Sequence, residues 1–136
     1  MKTVFLRFRI VDRKNFDAIK RGLKKIETRA GSPRYQGIEK GYVLTIACGK
    51  ERIARRVVNA RRFKSVDALM RAVPFRDIMP WAPTKAAARE AWYGYPGYEE
   101  RLKKFGIVAW NLGLPLRASA HRMKEKGRSK SKKRRS

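Results

Sequence analysis

Residues 22–29 read Gly22-Leu23-Lys24-Lys25-Ile26-Glu27-Thr28-Arg29, a G-x-K-x-x-E-x-R arrangement that sets a carboxylate between two cations. In an extended strand alternate side chains share a face. Glu27 and Arg29 therefore point the same way, within reach of a charge-assisted pair that would orient the guanidinium. Lys24 sits at the strand entrance, where its ammonium reaches the same concavity. A carboxylate holding an arginine, with a lysine beside it, makes a receptor for a phosphate or a base edge. The alternative is a salt bridge that only closes the fold. Lys24 and Glu27 are also the catalytic candidates: without a histidine in the domain, an acid and a base for proton transfer would have to come from them or from Tyr35.

A run of cations supplies the second set of candidates. From Arg52 to Lys64 the chain carries Arg52, Arg55, Arg56, Arg61, Arg62 and Lys64 with no acid among them. A solvated strand face would intersperse acids for balance. This run predicts instead a face that tracks phosphates, with guanidinium planes able to stack on bases. Arg34, in the Gly-, Ser- and Pro-containing stretch 31–37, is a further RNA-binding candidate. Of the aromatic group Trp81, Trp92, Tyr93, Tyr95 and Tyr98, Trp92 and Tyr95 are expected to pack the last helix onto the core. Trp81, flanked by Pro80 and Pro83, is expected to stack an unpaired base beside Lys85 and Arg89. The C-terminal segment adds Arg122, Lys124, Arg128, Lys130, Lys132, Lys133, Arg134 and Arg135.

These candidates belong to a chain with 36 Lys and Arg against 11 Asp and Glu, a net charge of +25 on 136 residues. Residues from Arg117 onward hold ten of the cations and one acid, a local +9, which leaves +16 on residues 1–116. The excess is therefore not confined to the tail, and so self-repulsive a chain calls for a polyanion partner, naturally the phosphate backbone of a nucleic acid. One cysteine, Cys48, forbids an internal disulfide and reads as a small buried hydrophobe in a reducing compartment. One histidine, His121, at the edge of the tail, rules out zinc fingers, Cys-His nucleophile pairs and serine triads within the chain. No metal or cofactor is expected. The N-terminus alternates apolar and charged residues, unlike a signal peptide or membrane anchor, and no apolar run approaches membrane-spanning length. An intracellular, cytoplasmic protein is expected, with no membrane partner and no homo-oligomer implied.

The elements that must position these residues follow from periodicity. Residues 3–10 alternate, with Val4, Leu6, Phe8 and Ile10 on one face and Arg7 and Arg9 on the other. A short helix over 15–21 has Asn15 as its N-cap, Phe16 and Ile19 facing inward and Gly22 as its stop. A strand over 24–29 puts Ile26 and Thr28 opposite Glu27 and Arg29, and 31–37 is a loop. Residues 42–48 and 52–62 form a hairpin in which the doublet Arg55-Arg56 marks a bulge. Helices follow over 65–73, capped by Ser65, and from Thr84 through KAAAREAWY. After the GYPG turn, a helix over 98–104 leads into a strand over 107–112. The pattern dissolves beyond Gly113 and Pro115. The expectation is an α+β fold, a small mixed β-barrel of about five strands with short flanking helices over residues 1–115. A basic tail over 116–136 has no apolar period and would be disordered when free.

In its G-x-K-x-x-E-x-R segment and in the order of the later elements (YVLTIAC, SVDALM, GYPGYEERLKKFGIVAWNL), the chain resembles the ASCH family of PUA-like barrels over roughly residues 3–113. The resemblance implies RNA binding, and with the basic tail a structural component of a ribonucleoprotein, most naturally a ribosomal subunit. RNA, expected to be rRNA, and neighbouring ribosomal proteins would be its partners. The weight of charged residues suggests a thermophilic, archaeal source. Some family members are implied to be RNA-processing enzymes, ribonucleases or nucleoside amidohydrolases. The amidohydrolase branch uses a Lys and a Thr of this motif: Lys24 matches the Lys, but Glu27 occupies the Thr position and Thr28 is one residue off.

Overall fold

Leu6, at the centre of the alternating N-terminal run, is fully buried, while Phe5 and Arg7 on either side are exposed. That run is strand β1 (Thr3–Phe8) of a computed structural model that describes residues 2–116. The alternation stops at Phe8, because Ile10–Asp12 turn as a 3-10 helix and leave Ile10 exposed. There follow α1 (Arg13–Lys20), β2 (Ile26–Ala30), α2 (Pro33–Gln36), β3 (Val43–Cys48) and β4 (Glu51–Phe63). The remaining elements are α3 (Val66–Ala72), a second 3-10 turn (Phe75–Asp77), α4 (Lys85–Gly94), α5 (Tyr98–Phe105) and β5 (Ile107–Leu116).

The five strands form one mixed sheet in the order β1-β3-β4-β5-β2, with β1 parallel to β3 and the other pairs antiparallel. The sheet curls into a half-barrel. Its inner face buries Leu6, Leu44, Ile46, Val57 and Trp110 against Phe16 and Ile19 of α1 and Ile38. A second core lies on the outer face of β2 and β5. There Ile26, Ala30, Ile107 and Ala109 pack under Leu69, Met70, Trp92 and Leu102 from α3–α5. Removing this much apolar surface from water is what holds so highly charged a chain together. Cys48 is buried, as its apolar surroundings predicted. Among the described residues no helix is long and apolar enough to cross a membrane.

Several local expectations need correction. Helix α1 begins at Arg13 after Asp12, and Asn15 is buried inside it rather than capping it. The Asn15 amide donates to the Tyr95 hydroxyl at 3.3 Å, so its side chain serves a tertiary contact. The expected loop 31–37 contains a one-turn helix, with Pro33 at its start, where proline is favoured. Strand β5 continues through Pro115 to Leu116, pairing Leu116 with Ala54 and Pro115 with Arg55.

The basic run forms the central strand, between β3 and β5, and it is not one face. Against β5 the register shifts between Arg55 and Val57 and again between Val57 and Asn59, whereas against β3 it runs unbroken from Glu51 to Arg56, so the irregularity follows the Arg55-Arg56 doublet and does not fall at it. Plain strand alternation sends Ile53, Arg55 and Val57 to the inner face and Arg56 to the other. Arg55, 5 % exposed, faces the inner core and donates to the main-chain oxygens of Ala54 (2.9 Å) and Ile19 (3.2 Å). It thereby satisfies a carbonyl in the last turn of α1, where a cation also suits the helix dipole.

Gly106 joins α5 to β5 at φ +72°, and a Cβ there would lie 2.6 Å from the Phe63 main-chain oxygen. Gly37, at φ −91°, has open space where its Cβ would be. We expect Gly106→Ala to cost about 2–4 kcal/mol from left-handed strain and backbone overlap. Gly37→Ala should stay within about 0.5 kcal/mol of the parent. Thermal unfolding of the two variants checks both.

Candidate functional site

The motif enters β2 directly from α1. The main-chain N–H groups of Leu23 and Lys24 both donate to the Ala18 oxygen, at 2.9 and 3.0 Å, turning the chain sharply after Gly22. Strand parity then does what alternation predicts. Thr28 faces the helices, its hydroxyl accepting from the Trp92 indole N–H at 3.0 Å, while Glu27 and Arg29 face the opposite side. The Lys24 ammonium stands 3.2 Å from one Glu27 oxygen, and the Arg29 Nε donates to the other at 2.9 Å. Lys24 also donates to the Ile78 main-chain oxygen at 2.6 Å. Arg29 Nη2 reaches the Arg7 main-chain oxygen of β1 at 3.4 Å, bridging the two edge strands that the half-barrel leaves unpaired.

These groups form the floor of a cavity of about 290 Å³ along the β1–β2 seam. Phe8, Met79 and Pro96 give it apolar walls, and Asn15, Tyr95 and Tyr98 place polar groups in them. Arg9, Lys24, Arg29 and Arg101 line it against only Asp12 and Glu27, four cations to two carboxylates, while Arg7 contributes its main-chain oxygen. The volume lies near the small end of ligand pockets, roughly 300–1,000 Å³.

Burial sets the electrostatics. Lys24 is 4 % and Glu27 2 % exposed. Desolvation pushes the Lys24 ammonium below its ordinary range, and the neighbouring Glu27 only partly offsets this. Desolvation would raise the Glu27 carboxyl, but the charges of Lys24 and Arg29, with their hydrogen bonds, outweigh it and hold the carboxyl below its usual value. The Arg29 guanidinium, pulled down by burial, is raised on balance by Glu27. Burial pushes the Tyr95 phenol up to about 12, so it remains a neutral hydrogen-bond donor. The triad thus presents a net single positive charge. Two of the three Lys24 protons and two of the five Arg29 N–H donors are engaged within the described residues. What remains suits a ligand rich in acceptors.

The other expected site residues are dispersed. Arg52, Arg56 and Lys64 are exposed. Arg62 donates to the side chain and main chain of Gln36, and Arg61 lies half-buried with its guanidinium 5.7 Å from the Phe63 ring. Arg55, in the core, is withdrawn from any surface partner. Arg34 is exposed beside Tyr35. Trp81 is half-buried against the α3–α5 core with the Lys14 ammonium 3.8 Å from its ring centre, so the face expected to stack a base already carries a cation. Lys85 is exposed, and Arg89 pairs with Asp67 at 2.9 Å. Trp92 packs in the core and Tyr95 against it, as expected, and Tyr95 also lines the cavity. Arg122, Lys124, Arg128, Lys130, Lys132, Lys133, Arg134 and Arg135 lie outside the described residues. Among the described residues no group of three or more His, Cys, Asp or Glu side chains is placed to hold a metal.

Sequence reasoning missed Arg7, Arg9, Asn15, Tyr95, Tyr98 and Arg101 as cavity residues. Two signals were present: an asparagine on the inward face of an amphipathic helix, and two tyrosines bracketing the Pro96-Gly97 turn.

The crystal structure of the archaeal hypothetical protein PH0355 superimposes with a TM-score of 0.71 at 23 % identity, over 85 % of this chain and 100 % of that one. The solution structure of protein PF0455 from Pyrococcus furiosus gives 0.65 at 23 % identity, over 85 % and 98 %. At this identity the likeness establishes a shared fold. No protein-family model matches the chain, and none of the curated proteins does.

Replacing Glu27 by Gln would leave two buried cations without their counter-ion, at a cost of about 3–5 kcal/mol. Because Glu27 titrates lower in the folded than in the unfolded chain, its stabilisation is complete above the ordinary carboxylate range, near pH 4.3. It is lost as pH falls through the folded-state value. Urea unfolding of parent and Glu27→Gln across pH should show a constant gap at neutral pH that narrows in acid.

Proposed function

We propose that this chain is an RNA-binding protein of PUA-like, ASCH-type architecture whose seam cavity accepts an acceptor-rich nucleotide group, and that it is a stable component of a ribonucleoprotein, most naturally a ribosomal subunit. The observation that carries this is the buried Lys24–Glu27–Arg29 triad, with its surplus positive charge and unspent donors, at the base of a small basic cavity. A phosphate or a base edge rich in carbonyl oxygens satisfies such a floor. The charge of +16 on residues 1–116 supplies attraction to the backbone around it. Glu27 is locked as an ion between two cations, and this favours binding over proton transfer.

One observation keeps a catalytic reading in view: burial lowers the Lys24 ammonium below its ordinary range, which eases the loss of its proton. Turnover of labelled RNA or acylated nucleosides that disappears in a folded Lys24→Ala variant would establish it in place of simple binding.

Binding to structured RNA should weaken steeply with salt as counterions are released, in proportion to the phosphates contacted. Removing residues 117–136 should lower affinity and salt slope together while leaving the melting temperature unchanged, since both cores lie before Arg117. A flat plot of log affinity against log salt overturns RNA binding. Sedimentation of a lysate on a sucrose gradient tests the assembly: co-migration with a ribosomal subunit after a high-salt wash is expected, and migration only with free protein would remove the ribonucleoprotein role.

A further inference from the structure

The outer face of the half-barrel is covered unevenly. Helices α3–α5 pack over β2 and β5, whereas the outer face of β1, β3 and the first half of β4 belongs to neither core. On it the register sets Phe5, Thr45 and Ala54 in one row and Arg7, Ala47 and Arg52 in the next, with Arg56 beside Val43. The middle positions of both rows are small, so the relief consists of one aromatic ring and three arginines. Phe5 is 36 % exposed, and the guanidiniums of Arg7 and Arg52 lie 5.2 and 5.3 Å from its ring centre. Among the described residues Arg7, Arg52 and Arg56 have no carboxylate partner, whereas Arg9, Arg13, Arg29 and Arg89 each have one.

We propose that this face is a stacking platform for single-stranded RNA, centred on Phe5 and continuous with the seam cavity through Arg7. The proposal rests on the RNA-binding function above and adds a second surface and a strand preference. The guanidiniums over the exposed Phe5 ring are mobile planar cations at the surface: a base can stack on them or displace one from the π-surface, and the displaced arginine can take a flanking phosphate. A duplex keeps its base faces inside the helix and cannot use the ring, so charge alone would bind it. Arg7 serves both sites: its main chain lines the seam, where its oxygen accepts from Arg29, while its guanidinium stands at Phe5. A nucleotide held in the cavity thus leads its neighbour onto the platform. An acidic peptide would also complement three arginines, but it gives the ring no planar partner.

The test uses the full chain and a short oligouridine, single-stranded or annealed to its complement, with binding followed by fluorescence anisotropy over a range of salt. Phe5→Ala should weaken single-strand binding roughly tenfold. Its salt slope and its duplex affinity should stay unchanged, and Phe5→Trp should restore binding. Arg52→Ala should instead reduce the salt slope by about 0.7, one phosphate of a single strand. Photocrosslinking of the parent protein with 5-iodouridine-substituted RNA should place the adduct on the peptide containing Phe5, a readout that needs no variant to fold. Single-strand binding indifferent to Phe5→Ala, equal losses on single strand and duplex, or crosslinks confined to the tail would each overturn the platform while leaving RNA binding intact. Absence of salt-dependent binding by the parent protein overturns both proposals.

Discussion

A single buried carboxylate, Glu27, organises the seam of this half-barrel. The sheet ends in two edges, β1 and β2, that are not joined by a ladder of main-chain hydrogen bonds. Side chains bridge the gap instead. Glu27 orients the Arg29 guanidinium, which reaches the Arg7 oxygen on the far edge, and holds the Lys24 ammonium, which reaches Ile78 beyond the second 3-10 turn. Three segments distant in sequence therefore meet through one anion. An anion so deeply buried is tolerable only with both counter-ions in place, which makes the arrangement all-or-none. Because two cations share one carboxylate, the seam retains a surplus positive charge where it opens into the cavity.

The rest of the charge is sorted as well. Five of the ten acids among the described residues sit in ion pairs, Glu27 at the seam and four at the surface. Glu51 pairs with Arg13 and Lys20, Asp12 with Arg9, and Asp67 with Arg89. Exposed pairs of this kind contribute little to stability. They lie at α1 and α3–α4, whereas Arg7, Arg52 and Arg56 on the β1–β3–β4 face have no carboxylate partner among the described residues. A field concentrated on one face orients a polyanion, which an even coat of cations would not do.

Much of the site was legible from residue types and spacing. The Glu27–Arg29 pair, the nearby Lys24 and the opposite orientation of Thr28 all follow from the two-residue period of a strand, which is a local property. Phe16, Ile19, Cys48 and Trp92 are buried as their apolar surroundings implied. The basic run misled because strand alternation sends arginines adjacent in sequence to opposite faces: Arg55 enters the core while Arg56 stays at the surface. Trp81 misled because prolines around an aromatic describe the chain's path and not what packs on the ring. Asn15 misled because its helical cap propensity lost to a partner eighty residues away, Tyr95.

Charge, the strand and helix periods and the short-range motif are properties of neighbouring residues, and the sequence by itself determined them: an α+β chain, strongly basic, with a carboxylate paired to an arginine on β2. Only the tertiary structure decided that this pair is buried, that it spans an unpaired seam, and that tyrosines from the α4–α5 turn, Arg9 just beyond β1 and Arg101 of α5 complete a cavity around it. Burial and long-range convergence depend on how the sheet curls and where its bulges fall. Those are set by the simultaneous packing of two cores, and no local window of sequence contains that information.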